Sequence, residues 1–131
     1  MFLNSEADYA IRIVACLSDT EEKTDAATIA EKTGVTQRFA LKILHKLCGA
    51  KIVVSYKGAK GGYALAKPAE DITLLEVIEL ICGPVNFSRC QKDELACTHP
   101  QGFCYFRETF DDVSHYMQEK FSKVTFSKGN K

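Results

Sequence analysis

Three cysteines in the second half of the chain have the residue type and the spacing for metal chemistry. Cys90, Cys97 and Cys104 are separated by six residues each, in a stretch without a clear helical or strand period. Soft metals and iron–sulfur clusters prefer thiolate ligands, and a loop can bring three of them to one centre. His99 lies in the same stretch, and three cysteines with one histidine are a common structural zinc set. The spacing alone leaves a metal site and no site equally open.

The other three cysteines predict a different role, because each lies in or at the end of a predicted helix. Cys16, Cys48 and Cys82 are expected to pack in the core as small apolar side chains.

The N-terminal segment lacks a continuous apolar run, and no stretch reaches the roughly 18–20 apolar residues that span a bilayer. We therefore expect a cytoplasmic protein without a membrane partner, in which metal or redox chemistry is favoured over stable disulfides.

A basic segment lies within a chain whose formal net charge is zero. From Thr36 to Lys67 the sequence has seven lysines and arginines and no aspartate or glutamate. Residues 1–68 hold ten basic and seven acidic residues, and residues 69–131 hold seven and ten, which together give the 17 of each sign. This asymmetry predicts one localised anionic partner rather than a generally charged surface.

The pattern around this segment predicts a winged helix-turn-helix. Asp25 and Thr36 can each cap a short helix, and Gly34 lies in the turn between the two helices. Two short helices joined by a glycine-containing turn are typical of the helix-turn-helix. Two β-rich runs follow, over 52–56 and 63–66, with three glycines between them. These runs predict a two-stranded wing.

The exposed face of the second of these helices and the wing supply the residues expected to contact DNA. The inward face is expected to include Phe39 or Ala40. Arg38 can then bind guanine and Gln37 can pair with adenine, while later lysines meet phosphate and the wing glycines permit close approach. The expected DNA contacts are Thr36, Gln37, Arg38, Lys42, Lys46, Tyr56, Lys57, Gly58, Lys60, Gly61 and Gly62. A solvated surface is the alternative for any single lysine.

Three further helices complete the predicted fold, which is mainly α with a small β-wing. The first helix opens with a capping box formed by Ser5 and Asp8. Another begins at Thr73, with Glu76 in its capping box, and its apolar composition predicts burial. The last begins near Cys104 and carries an apolar row with a spacing close to that of a heptad seam. The residues of this row are Phe106, Phe110, Val113, Met117 and Phe121.

Three stretches together resemble one family. They are the opening segment from Leu3 to Leu17, the recognition segment from Val35 to Leu44, and the wing from Lys57 to Leu65 with its Gly-Gly-Tyr sequence. With the three downstream cysteines and the terminal helix, the chain resembles the winged-helix transcription regulators of the Rrf-two superfamily, typified by the iron–sulfur sensors IscR, NsrR and RirA. The resemblance extends to about Thr125.

The resemblance implies a homodimer that binds a pseudo-palindromic operator in double-stranded DNA. It makes the apolar row of the terminal helix the expected dimerisation surface, formed by Phe106, Phe110, Val113, Met117 and Phe121. It also implies an iron–sulfur cluster, of the 4Fe-4S type in preference to 2Fe-2S, held by Cys90, Cys97 and Cys104 and sensing iron, nitric oxide, oxygen or cluster supply. On this basis the chain divides into a winged helix-turn-helix domain over 1–84, a cluster-binding loop over 85–104, and a dimerisation helix with its tail over 105–131.

The residues leave a choice of fourth ligand to such a cluster. Family members commonly have five residues between the ligating cysteines, where this chain has six. Arg107 stands where IscR-like members have a histidine, and Asp8 matches the aspartate of NsrR-like members. Asp8, supplied across the dimer, is therefore the first candidate, with helix capping as its equal alternative. His99 is the less favoured ligand, and a thiol or water ligand stays open.

Two other functions stay open. One keeps the DNA binding and makes the cysteine stretch a zinc site or a thiol switch, and the other is a winged-helix adaptor that binds protein. A brown colour after anaerobic purification separates a cluster from zinc, and salt-sensitive DNA binding separates both regulators from the adaptor. No enzyme is predicted, because nothing in the sequence places a base beside a serine or cysteine nucleophile.

Overall fold

The computed structural model describes residues 3–86 and 105–127. It confirms the predicted class, a mainly helical fold with one two-stranded antiparallel wing. In chain order the elements are α1 (Ser5–Ser18), α2 (Ala26–Thr33), α3 (Gln37–Gly49), β1 (Val53–Tyr56), β2 (Gly62–Leu65), α4 (Leu74–Cys82) and α5 (Tyr105–Ser122). A 3₁₀ turn, Ala69–Asp71, precedes α4.

Local capping signals set the helix starts, as the sequence predicts for three of them. The Asp25 carboxylate accepts a hydrogen bond from the Thr28 backbone N–H at 2.7 Å, which satisfies one of the free N–H groups at the start of α2. The hydroxyl of Thr36 does the same for α3, and that of Thr73 for α4. Gly34 ends α2 in the left-handed conformation, with φ of 74°.

The start of α1 differs from the prediction. Asn4 is the capping residue, and its side chain accepts a hydrogen bond from the Ala7 backbone N–H at 2.7 Å. Ser5 is instead the first helical residue, so the predicted capping box of Ser5 and Asp8 is wrong. Asparagine and serine are both good capping residues, which is why a register error of one residue is easy to make from sequence.

The core is built around the apolar stripe of α1. Its buried residues are Ala7, Ala10, Ile13, Val14 and Leu17. The helix packs against α2, α3, α4 and β2, so it contacts most of the described elements directly. Each fully buried leucine or isoleucine contributes about 1.5–3 kcal/mol relative to an exposed one. Burial of this one stripe therefore fixes where the other elements lie.

The wing is attached to the connection between α1 and α2. Strands β1 and β2 pair antiparallel, with Tyr56 opposite Gly62 at the turn end. The backbone N–H of Thr24 donates to the carbonyl of Tyr63 at 2.9 Å, and the Tyr63 N–H donates back to the Thr24 carbonyl at 2.8 Å. This reciprocal pair adds Thr24 to the open edge of β2 and fixes the wing relative to α1.

Helix α4 lies between α1 and α5 and is less buried than its composition predicts. Only Val77 and Ile78 are fully buried, and the remaining apolar residues of the helix are half-buried. Two contacts tie α4 and the following residues to α5 and its tail. The Leu74 N–H donates to the carbonyl of Val124 at 2.8 Å, and the Gln118 amide donates to the carbonyl of Val85 at 3.3 Å.

The cap of α1 gives a stability prediction. Asn4→Ala removes the side chain that bonds the Ala7 N–H, and we expect it to lower the free energy of unfolding by about 1 kcal/mol. Ser5→Ala is the matched control and should stay within about 0.5 kcal/mol of the wild type, since Ser5 is exposed and already helical. Urea denaturation followed by circular dichroism measures both. A larger loss for Ser5→Ala would reinstate the capping box.

Candidate nucleic-acid interface

Helix α3 presents a polar face whose orientation is fixed by burial. Ala40 and Ile43 are fully buried, with Leu44 and Leu47 on the same side of the helix. On the opposite side Gln37, Arg38 and Lys42 are exposed, as the sequence predicts. A short helix that is anchored by its apolar side and offers arginine, lysine and glutamine outward can enter a major groove.

Of the two inward candidates at the start of α3, the structure selects Ala40. Phe39 remains 47% exposed, and its ring meets that of Tyr9 edge-on with 6.2 Å between centroids. The guanidinium of Arg12 lies 5.9 Å from the centre of the same Tyr9 ring. Leu41 is also exposed. Exposed apolar side chains on a reading helix can contact thymine methyl groups, so Phe39 and Leu41 join the candidate interface.

An acidic side chain of α1 reaches the basic face of α3. The Lys46 ammonium lies 2.6 Å from a carboxylate oxygen of Glu6, and the Lys42 ammonium lies 3.9 Å from the same oxygen. The hydrogen bond from Lys46 is the main cause that lowers the pKa of Glu6 below its ordinary value, against a smaller opposing effect of desolvation. The segment from Thr36 to Lys67 has no acidic residue in its own sequence, but the fold brings the Glu6 carboxylate against it.

The wing carries the other expected contacts on its exposed side. Lys57 and Lys60 are exposed at the turn, and Tyr56 is exposed at the end of β1. The ammonium of Lys23 lies 4.3 Å from the centre of the Tyr56 ring, within the range of a cation–π contact. Lys23 directly precedes Thr24, whose backbone pairs with Tyr63 of β2. This backbone pairing brings Lys23, which lies outside the basic segment, to the wing.

Two of the wing glycines have a reason within the fold. A Cβ on Gly61 would overlap the carbonyl oxygen of Tyr56, and a Cβ on Gly62 would lie 2.9 Å from the carbonyl oxygen of Thr24. Both contacts are with backbone, which cannot move away without opening the turn or the Thr24 bridge. Gly58 has φ of 102° and open space around it. Close approach to DNA stays a prediction for all three.

Asp8, the first candidate for a fourth cluster ligand, lies on the exposed side of α1. Its carboxylate is 3.0 Å from the guanidinium of Arg12 one turn later, and both side chains are about half exposed. Asn4 caps the N-terminus of α1, so the Asp8 carboxylate does not serve as the helix cap. An exposed pair of this kind contributes about 0–1 kcal/mol and breaks readily.

The predicted ligands Cys90, Cys97, Cys104 and His99 lie outside the described residues. On the near side of this stretch, Val85 is buried and bonded to Gln118 of α5. Within residues 3–86 and 105–127, no group of three or more histidine, cysteine, aspartate or glutamate side chains could hold a metal ion.

The remaining cysteines, Cys16, Cys48 and Cys82, are half-buried free thiols rather than fully buried ones. Burial raises the pKa of both Cys16 and Cys48. A raised pKa leaves less thiolate near neutral pH, so these two are poor ligands and poor nucleophiles there.

Helix α5 leaves much of its predicted apolar row exposed. Phe106, Phe110 and Val113 are exposed, while Met117 and Phe121 are half-buried. Tyr116 adds a further exposed aromatic ring. Contiguous apolar surface on a single helix is typical of a protein–protein contact.

No helix within residues 3–86 and 105–127 combines the length and the apolar composition that a membrane span requires.

Comparisons with known proteins agree with this geometry. The model of the Rrf2 family, described as iron-dependent transcriptional regulators, matches residues 3–128. The helix-turn-helix-type regulator NsrR of Oceanobacillus iheyensis is 34% identical over 76 residues, which cover 56% of this chain and 52% of NsrR. IscR of Photorhabdus laumondii is 31% identical over 96 residues, covering 72% of this chain and 58% of IscR.

The matched part thus spans little more than half the length of these two relatives. Both are transcriptional regulators, in agreement with the prediction that the chain is not an enzyme.

Among solved structures, CymR, the global cysteine regulator of B. subtilis, superposes with a TM-score of 0.80 over 96% of this chain and 93% of its own. At 20% identity this likeness establishes the fold alone.

The exposed polar face of α3, with Gln37, Arg38 and Lys42, is called the reading face, and it gives a prediction about the salt dependence of DNA binding. Lys42→Ala should weaken DNA binding and make the plot of log affinity against log salt shallower by about 0.9 for each copy of Lys42 that meets a phosphate, because fewer counterions are released. Lys123→Ala, in an exposed pair with Glu119 after α5, is the charge-matched control and should leave the slope unchanged. Fluorescence anisotropy with a labelled duplex measures both. Equal slopes for the wild type and Lys42→Ala would remove Lys42 from the interface.

The wing gives a prediction about folding. Gly62→Ala places a Cβ against the Thr24 carbonyl, so we expect it to lower the free energy of unfolding by about 1–3 kcal/mol. Gly49→Ala is the control, because its Cβ would meet nothing within 4 Å and its φ is not positive. That change should be neutral or stabilise by up to about 1 kcal/mol. Thermal or urea unfolding compares them, and an undisturbed Gly62→Ala protein would contradict the packing argument.

Proposed function

This chain belongs to the Rrf2 family of DNA-binding transcription regulators, and we propose that it is a homodimer whose operator affinity is controlled by an iron–sulfur cluster. The observation that carries the DNA-binding part is the exposed face of α3, where Gln37, Arg38 and Lys42 point away from a buried apolar side. The cluster part rests on the three-cysteine stretch and on the family resemblance. The cytoplasm is the compartment we propose for this activity.

The donor set fits an iron–sulfur cluster. Cys90, Cys97 and Cys104 supply three thiolates, the ligands that cluster iron prefers. Asp8 supplies a carboxylate that is exposed and forms a weak pair with Arg12. When bound, the cluster would supply a redox-active and nitric-oxide-reactive centre, and a carboxylate ligand would leave one iron more open to small molecules. His99 remains the less favoured fourth ligand.

Helix α5 is the proposed contact between the two copies. Its exposed residues Phe106, Phe110, Val113 and Tyr116 form an apolar surface that a second copy can cover. Two-fold pairing would present two α3 helices to successive major grooves and would match a pseudo-palindromic operator. Because Gln118 of α5 bonds the carbonyl of Val85, the start of the cysteine stretch is attached to the helix that pairs the copies. Loss of the cluster can therefore change the spacing of the two reading helices.

Anaerobic purification tests the cluster. We expect brown protein with visible absorption and with iron and acid-labile sulfide in comparable amounts. Cys97→Ser should lose the colour, while Cys82→Ser, at the end of α4, should keep it. Loading or removing the cluster should then change the affinity for an operator selected from random DNA.

Three outcomes would contradict the proposal in different ways. Colourless protein that holds zinc would make the cysteine stretch a structural zinc site. Coloured protein with equal operator affinity with and without the cluster would remove the control, because a ligand without differential affinity shifts no equilibrium. An unchanged spectrum and cluster lifetime in Asp8→Ala would remove Asp8 as a ligand.

A further inference from the structure

The contact between Glu6 and the basic face of α3 is not explained by the packing of the fold. Helix α1 is held against α3 by buried apolar residues of both helices, which belong to one core cluster. Its N-terminus is capped by Asn4. An ion pair near the surface contributes about 0–1 kcal/mol, so Glu6 is not needed to hold the two helices together. The position of Glu6 beside Lys42 and Lys46 of α3 therefore needs an explanation other than helix packing.

The geometry places a carboxylate where a phosphate would be expected. The Lys46 ammonium, 39% exposed, bonds Glu6 at 2.6 Å, and Lys42, 59% exposed, lies 3.9 Å from the same oxygen. The Glu6 side chain is 22% exposed, so it lies in the surface rather than reaching into solvent. A carboxylate and a phosphate are both oxyanions, and each accepts charge-assisted hydrogen bonds from an ammonium group.

We propose that Glu6 is an intramolecular competitor of the DNA phosphate, which occupies Lys46 and lowers the affinity of the protein for DNA of any sequence. The proposal rests on the proposed reading face of α3. A lysine that is already paired with a carboxylate neutralises a phosphate less well, so fewer counterions leave the DNA on binding, and the carboxylate repels a phosphate that approaches it. Base contacts by Arg38 and Gln37 are unaffected by this competition. Glu6 therefore raises the share of the binding free energy that depends on sequence.

Glu6→Gln tests this, because it removes the charge and keeps the length of the side chain. The probe is a labelled duplex of arbitrary sequence, titrated by anisotropy between roughly 50 and 200 mM salt. We expect Glu6→Gln to bind about 2–5-fold more tightly for each copy in the complex at the low end, which corresponds to the upper range of a surface ion pair. The salt slope should become steeper by about 0.9 for each copy in the complex.

Two controls make the test specific. Glu119→Gln, on α5, removes the same charge from an exposed pair with Lys123 and should change neither affinity nor slope. Glu6→Gln added to Lys46→Gln should give no gain over Lys46→Gln alone, because the lysine that Glu6 would release is then absent. Should Glu6→Gln fold poorly, Glu6→Asp keeps the charge on a shorter side chain and should give a smaller gain in affinity.

The outcomes separate this proposal from the reading face on which it rests. If Glu6→Gln binds no more tightly while Lys42→Ala weakens binding in the same assay, the reading face stands and the competition by Glu6 is wrong. If neither change affects binding, both are wrong. A weaker, correctly folded Glu6→Gln protein would make Glu6 a residue that positions α3 and would also overturn the proposal.

Discussion

Burial of one stripe on α1 is the constraint from which the rest of the described structure follows. The stripe packs against α2, α3, α4 and β2, so each of those elements is placed by its contact with the same helix. A helix buried along one side must expose the other, and its first turn comes to lie beside α3. Packing of the core therefore brings Glu6 to Lys46 across 40 residues of sequence. The charge on the reading face is in this sense a consequence of how the core is built.

Signals that act within a few residues were enough to predict most of the fold. Capping residues set the starts of α2, α3 and α4, and glycines marked the turn at Gly34 and the wing. The same local rules failed at the start of α1, where two good capping residues are adjacent. They also left Phe39 and Ala40 as alternatives, because Phe39 lies at the edge of the apolar stripe that contains Ala40. The burial of Ala40 decides between them.

Contacts between distant segments were beyond such rules. Neither the pairing of Thr24 with Tyr63 nor the contact of Lys23 with Tyr56 has a sequence pattern, since both arise only when the wing folds back onto the α1–α2 connection. The candidate DNA interface was predictable because α3 and the wing are contiguous in sequence. The acid that limits its charge was not, because Glu6 belongs to another element. The cysteine ligands rest on residue type and resemblance.

The first turn of α1 joins the two proposals made for this protein. Asp8 and Glu6 are two residues apart, and on a helix such residues do not face the same side. Glu6 faces the lysines of α3, while Asp8 is exposed and pairs with Arg12. If Asp8 is a cluster ligand, any shift of the first turn that brings its carboxylate to iron also moves Glu6 relative to Lys46. The state of the cluster would then act on Lys42 and Lys46 of α3 through one helical turn.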